Sequence, residues 1–259
     1  MRVALCGLGR AGKQVLSLIL QSEGNVYPVM CICRNGSEKA GKNLMEILPF
    51  RNKIDCPVYS VSDAAVGFQK QAPDVLIDFS SSEATMALLP VCARYGVRMV
   101  ICTTNFSDEE LRRIQKTANE TENFGAVYAP NVTPGVNVMM ILARRVAQLL
   151  PEYDYAITER HHNKKADLSA TAKKIAGVLE DELNRPVHIN AIRAGGYVGV
   201  HEMTAVGEYE QLTIVHESFS RKAFANGALI AAAYIQGKQG YYDMQDVMYQ
   251  YLRKKGNLL

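Results

Sequence analysis

Short apolar runs rich in β-branched residues alternate with amphipathic stretches through the first 130 residues. Residues 2–6, 27–33, 74–79 and 97–102 read as strands, and the spacing of Val15, Leu16, Ile19 and Leu20 reads as a helix. Strand–helix alternation predicts a parallel sheet covered on both faces. After Pro134-Gly135 the rhythm changes. Val138, Leu142, Val146 and Leu150 keep helical spacing, and four β-rich stretches follow at 155–158, 187–192, 201–206 and 212–215, with Gly207-Glu208 as a turn between the last two. This second region predicts a mixed or antiparallel sheet with a helix on one face. Residues 224–259 return to helical spacing, with the small-residue run Ala231-Ala232-Ala233. The fold class expected is α/β followed by α+β, with no internal repeat.

Composition narrows the function classes. The chain has 259 residues, 48% hydrophobic and 21% charged, as expected of a folded globular protein. Twenty-nine Lys and Arg against 26 Asp and Glu leave a net charge of +3, too little to predict a nucleic-acid or acidic-membrane partner. No apolar run approaches the ~18 residues of a membrane span, and the opening residues lack a signal peptide's apolar stretch, so a cytoplasmic location is expected. The cysteines at 6, 31, 33, 56, 92 and 102 lie mostly in apolar runs, which predicts reduced core thiols. Cys31 and Cys33 point the same way on one strand, but no second Cys or His pair stands at ligand spacing, so no metal site is expected.

Gly7-Leu8-Gly9-Arg10-Ala11-Gly12 is a G-x-G-x-x-G that follows a predicted strand and opens a predicted helix. Glycine lets the backbone turn tightly and approach a pyrophosphate, while the helix start supplies unpaired N–H donors. An NAD-selective site usually ends its second strand with a carboxylate that bonds the ribose hydroxyls. Here that strand runs into Arg34, with Ser37 and Lys39 close behind. A guanidinium fork suits a 2′-phosphate, so NADPH is the expected cofactor, with NADH usable as well.

The most unusual local sequence is Glu159-Arg160-His161-His162-Asn163-Lys164-Lys165-Ala166-Asp167-Leu168-Ser169-Ala170-Thr171, between a predicted strand and a predicted helix at 171–183. Two histidines and two lysines before a helix start converge cations and free N–H groups on one place, an anion site. Either Ser169 or Thr171 can cap that helix.

The His-His-x-x-Lys-x-Asp and Ser-x-Thr-Ala of this segment resemble the signature of the 4-hydroxy-tetrahydrodipicolinate (dihydrodipicolinate) reductases, pyridine-nucleotide enzymes of lysine and diaminopimelate synthesis. Further segments agree in order along nearly the whole chain. They include Gly9-Arg10-Ala11-Gly12, residues 74–80, Thr103-Thr104, Ala129-Pro130-Asn131 with Gly135-Val136-Asn137-Val138, Arg193-Ala194-Gly195 with Gly199 and His201, and Ser220-Arg221 with residues 224–227. The chain departs from the family pattern at Leu168, Ala170, Cys102, Asn105 and Val132, where the family has proline, glycine, glycine, glycine and phenylalanine.

The resemblance implies a Rossmann-like dinucleotide-binding domain at 1–130 and 223–259, and a substrate-binding and oligomerisation domain at 131–222. It further implies a homotetramer whose domains close over the ligands. Gly7, Gly9, Arg10 and Gly12 would form the pyrophosphate loop. Phe79, Ser80, Thr103 and Thr104 would face the nicotinamide and its ribose, with Ala129 and Asn131 at the hinge. His161 and Lys165 correspond to the family's acid and lysine, and His162, Ser169, Ala170 and Thr171 to its site for the carboxylates of a small cyclic dicarboxylate. The implied reaction is NAD(P)H-dependent reduction of 4-hydroxy-tetrahydrodipicolinate. The alternatives are a related dehydrogenase acting on another amino or imino acid, such as a diaminocarboxylate, and a non-catalytic nucleotide-binding relative.

Overall fold

A computed structural model describes residues 1–21, 26–48 and 54–254; residues 255–259, the end of the last predicted helical stretch, lie outside it. The chain forms two compact units, Met1–Val132 with Phe224–Leu259, and Thr133–Ala223.

In the first unit the chain runs β1 (Arg2–Cys6), α1 (Arg10–Gln21), β2 (Tyr27–Cys33), α2 (Leu44–Ile47), β3 (Val58–Ser60), α3 (Ala64–Gln71) and β4 (Val75–Asp78). It continues with α4 (Ser82–Tyr95), β5 (Arg98–Ile101), α5 (Asp108–Glu120) and β6 (Gly125–Tyr128). Among the described residues these strands and a late one form a seven-stranded parallel sheet, ordered with β6-β5-β4-β1-β2-β3 and the late strand beside β6. Val75, Leu76, Ile77 and Asp78 are all buried, as a parallel strand covered on both faces must be. Strand order reverses between β1 and β4, so their carboxyl ends diverge into a crevice.

The second unit holds α6 (Pro134–Leu149), β7 (Asp154–His161), α7 (Ala170–Leu183), β8 (His188–Arg193), β9 (Val200–Val206) and β10 (Gln211–Glu217). Its four-stranded sheet has the order β10-β9-β7-β8; β7 pairs parallel with β8 and antiparallel with β9, so the sheet is mixed. Met139, Met140 and Ala143 of α6 and Ile175, Ala176 and Leu179 of α7 pack with Tyr155, Ile157, Met203 and Ala205 from the inner face of the sheet. The β9–β10 turn is longer than Gly207-Glu208: the chain closes where the Gly207 N–H donates to the Glu210 carbonyl at 2.9 Å.

The final segment is α8 (Lys222–Ile235), β11 (Gly240–Asp243) and α9 (Met244–Lys254). β11 is the late strand, parallel to β6. The helical expectation for 224–259 is therefore corrected by one strand, and β3 and β6 add two strands to the four expected in the first 130 residues. No helix among the described residues is long and apolar enough to cross a membrane.

Candidate active site

The glycine loop leaves β1 at the crevice. Gly7 has φ +93°, and a Cβ there would stand 2.5 Å from the Phe79 carbonyl oxygen at the end of β4. A Cβ at Gly12 would fall 1.9 Å from the Gly7 carbonyl oxygen, whereas one at Gly9 would meet nothing within 4 Å. Two glycines thus serve backbone packing and the third leaves the surface open for a ligand's close approach. α1 begins at Arg10, which is exposed, and its first turn carries no acidic residue. Its N-terminus keeps its attraction for an anion.

A cleft of about 650 Å³ runs from Cys6, Gly7, Leu8 and Gly9 past Arg34, Ser37 and Lys39 to Ser80 and Ser81. The glycine loop and the basic residues after β2 therefore share one cavity. The Ser37 N–H donates to the Arg34 carbonyl at 3.2 Å, and the Lys39 N–H reaches Ser37 Oγ at 3.4 Å. These residues fit a dinucleotide: an uncrowded glycine turn at a helix start, with cations 20 to 30 residues further on.

Phe79, Ser80, Thr103 and Thr104 line a neighbouring cleft of about 300 Å³ at the ends of β4 and β5. Ala129, at the end of β6, is buried and donates its N–H to the Ile101 carbonyl at 2.8 Å; Asn131 follows two residues on. Beneath them lies Asp78, fully buried, accepting from the Ser80 N–H at 2.9 Å, Ser80 Oγ at 2.5 Å and Thr85 Oγ1 at 2.6 Å. Burial pushes its carboxyl up, and those hydrogen bonds only partly offset it. Asn105 takes φ +66° where the resembled pattern has glycine; asparagine is the side chain that tolerates this best.

In the second unit, strand alternation puts Tyr155, Ile157, Glu159 and His161 on one face of β7. The register sets Glu159 opposite His201, His161 opposite Arg193, and His201 opposite His216. Glu159 is completely buried. His161 Nδ1 lies 2.5 Å from its Oε2, Arg193 grips both its oxygens at 2.6 and 2.8 Å, and the Ser169 N–H reaches Oε1 at 3.1 Å. Burial alone would raise this carboxyl; the bonds from Arg193, His161 and Ser169 outweigh it and hold it at about 2.

Ser169 caps α7, accepting from the Ala172 N–H at 3.4 Å, while its Oγ lies 3.0 Å from His201 Nε2. The His161 and His201 rings meet edge to face with centroids 5.4 Å apart. Burial first, then the charges of His161 and His216, lowers His201 to about 4, so this imidazole is neutral at pH 7. Lys165 is half-buried in the loop before α7, while His162 and Ala170 are exposed and Thr171 is half-buried at the helix start. Ala170 is the first residue of α7 and is not among the residues at positive φ, so its methyl group sits without backbone strain. Loop and helix start thus bring His161, Lys165, Ser169 and Thr171 to one end of the sheet. Glu159, Arg193 and His201, to which sequence reasoning assigns no role, hold the His161 ring, Ser169 and the Lys165 backbone. Their signal was a carboxylate at a core position of an alternating strand.

Comparisons with known proteins place the whole chain in one family. Residues 1–132 match the family model "Dihydrodipicolinate reductase, N-terminus" and residues 135–248 match "Dihydrodipicolinate reductase, C-terminus". The chain belongs to the dihydrodipicolinate reductase family. The 4-hydroxy-tetrahydrodipicolinate reductase of Methanopyrus kandleri is 32% identical, covering 98% of each chain. That of Methanococcoides burtonii is 34% identical over 93% of this chain and 95% of its own. Among solved structures, dipicolinate-bound dihydrodipicolinate reductase from Paenisporosarcina sp. TG-14 superposes with a TM-score of 0.81 at 24% identity, covering 95% of this chain and 98% of that one, a likeness of fold. Dihydrodipicolinate reductases are NAD(P)H-dependent oxidoreductases.

Proposed function

We propose that this chain reduces 4-hydroxy-tetrahydrodipicolinate with NADPH in preference to NADH, with His161 as the proton donor and Lys165 as the cation that stabilises charge developing on the substrate. The observation that carries this reading is the His161 imidazole, held through Nδ1 by a buried carboxylate at the foot of a helix start flanked by Lys165. Gly7, Gly9, Arg10 and Gly12 would hold the pyrophosphate, Arg34, Ser37 and Lys39 the 2′-phosphate, and Phe79, Ser80, Thr103, Thr104, Ala129 and Asn131 the nicotinamide end. The bound nicotinamide supplies a hydride, which with one proton reduces the substrate while its 4-hydroxyl leaves as water. His161 gives that proton and regains it from solvent. Lys165 lowers the energy of negative charge on the ring. The α7 N-terminus at Ser169, Ala170 and Thr171, with His162 beside it, binds a substrate carboxylate through N–H groups and positive charge.

The chain acts as a homotetramer in the cytoplasm. Support for assembly comes from the outer face of the mixed sheet, where Ile192, Val206 and Val215 are exposed. The six free cysteines suit a reducing compartment.

Steady-state rates with enzymatically generated substrate and NADPH test the chemistry. His161→Ala and Lys165→Ala are each expected to lower kcat by on the order of 10²-fold or more while NADPH affinity stays unchanged. Rates near wild type in either variant would remove that residue's role.

A further inference from the structure

We infer that Glu159 and Arg193 form a positioning pair: Glu159 decides which nitrogen of His161 handles the proton, and Arg193 fastens the loop that carries Lys165. The inference deepens the proposed reading of His161 as donor and rests on it.

The carboxylate of Glu159 is completely used. Oε1 accepts from Arg193 Nη2 and the Ser169 N–H, and Oε2 accepts from Arg193 Nη1 and His161 Nδ1. A carboxyl held at about 2 is ionised at neutral pH and can only accept, so Nδ1 carries a hydrogen in both charge states of the ring. Nε2 is then the nitrogen at which a proton comes and goes. The space over Nε2 is kept open by Gly199, where a Cβ would come within 3.2 Å of it. The same logic governs a catalytic histidine oriented by a buried aspartate.

Arg193 is as fully committed. Nε donates to the Lys165 carbonyl at 2.9 Å, Nη2 to the Asp167 carbonyl at 2.9 Å and Nη1 to the Ile192 carbonyl at 3.1 Å, besides the two bonds to Glu159. These five bonds use the five donors of a guanidinium. Two of them end on the backbone of the loop between His161 and α7, so the Lys165 segment is tied to the residue that neutralises Glu159. An ion pair that only knitted sheet to loop would need Arg193 and the carbonyls; it would not need His161 Nδ1 on Oε2. That bond links the pair to the proton.

Histidine-selective ¹⁵N NMR on the free full-length protein separates the roles. In wild type, neutral His161 is expected in the Nδ1–H tautomer. Glu159→Gln offers Nδ1 either an oxygen or an amide N–H, so the Nε2–H form should appear. kcat should fall on the order of 10²-fold with NADPH affinity, read by fluorescence titration, unchanged within twofold. Arg193→Lys keeps the charge but loses the fork; it should keep the Nδ1–H tautomer while raising KM for the dicarboxylate about tenfold. Should Glu159→Gln fail to fold, Glu159→Asp keeps a partner for Arg193 but withdraws the oxygen from Nδ1, and should show the same tautomer and kcat effects. Unchanged tautomer and kcat in whichever Glu159 variant folds would overturn the role of Glu159, and an unchanged KM in Arg193→Lys would overturn that of Arg193. If His161→Ala turns over normally while Glu159→Gln still shifts the tautomer, the donor reading fails and the positioning of the ring by Glu159 stands.

Discussion

Arg34 stands at the residue position where an NAD-selective relative of this fold would place a carboxylate, and it shares a cleft with the glycine loop, Ser37 and Lys39. It is exposed, so water would screen its charge toward a bound phosphate, and any selectivity would rest on the paired geometry of its donors. Arg34→Asp both removes that fork and adds repulsion toward a 2′-phosphate. The variant is expected to weaken NADPH by on the order of tenfold or more and NADH much less, measured by titrating the quenching of each nucleotide's fluorescence. An unchanged NADPH to NADH ratio would remove the phosphate reading. At the same scale, Glu159 shows what spacing and composition leave hidden. A glutamate inside a charged run looks solvated, and only the β7 alternation of Tyr155, Ile157, Glu159 and His161 reveals that it points into the core.

Elements with strong apolar runs were legible from the sequence, and those held by their neighbours were not. β1 and β2 fall at the residues expected, because their unbroken buried runs at 3–6 and 29–33 leave no alternative. β3 has three residues, and β6 opens at Gly125, where a Cβ would stand 2.7 Å from the Lys238 carbonyl oxygen. β11 is Gly-Tyr-Tyr-Asp, half-buried throughout, and becomes a strand by pairing with β6 some 115 residues earlier. Nothing local marks it. β11 and α9 nonetheless close the edge of β6, and Met244, Val247 and Met248 of α9 are buried. At about 1.5–3 kcal/mol for each buried side chain, their removal costs roughly 4–9 kcal/mol, comparable with the whole stability of a domain. A chain ending at Lys238 is therefore expected to melt at least ~10 °C lower than the full chain, or to aggregate through the freed β6 edge. A melting temperature within two or three degrees of the full chain would show that the first unit closes without it.

The molecule as a whole carries buried titratable groups of opposite sense in its two units, and this sets how each responds to acid. In Thr133–Ala223, His201 is about 4 in the folded state against 6.5 unfolded, because burial and the charges of His161 and His216 oppose its protonation. A depressed histidine stabilises the fold above its unfolded value, and that contribution is lost as pH falls from 6.5 toward 4. His216 is also lowered by burial and acts in the same direction. Glu159, about 2 folded against 4.5 unfolded, adds a second loss between pH 4.5 and 2. Lys165 and His161 face His201 with positive charge and Glu159 with negative, and the positive side prevails. In Met1–Val132 the sign reverses. Burial raises Asp78 above 3.8, so its neutral form is favoured in the fold and acid relieves the cost of its charge. Between pH 7 and 5 His201 alone removes about 2 kcal/mol from the second unit. Amide hydrogen exchange, corrected for intrinsic rates, should therefore lose about 30-fold protection in β7, β9 and α7, with less than threefold change in β1 and β4. His201→Asn should abolish most of that difference. Equal loss of protection in both units, or a difference that survives His201→Asn, would show that the buried histidine does not govern the acid response.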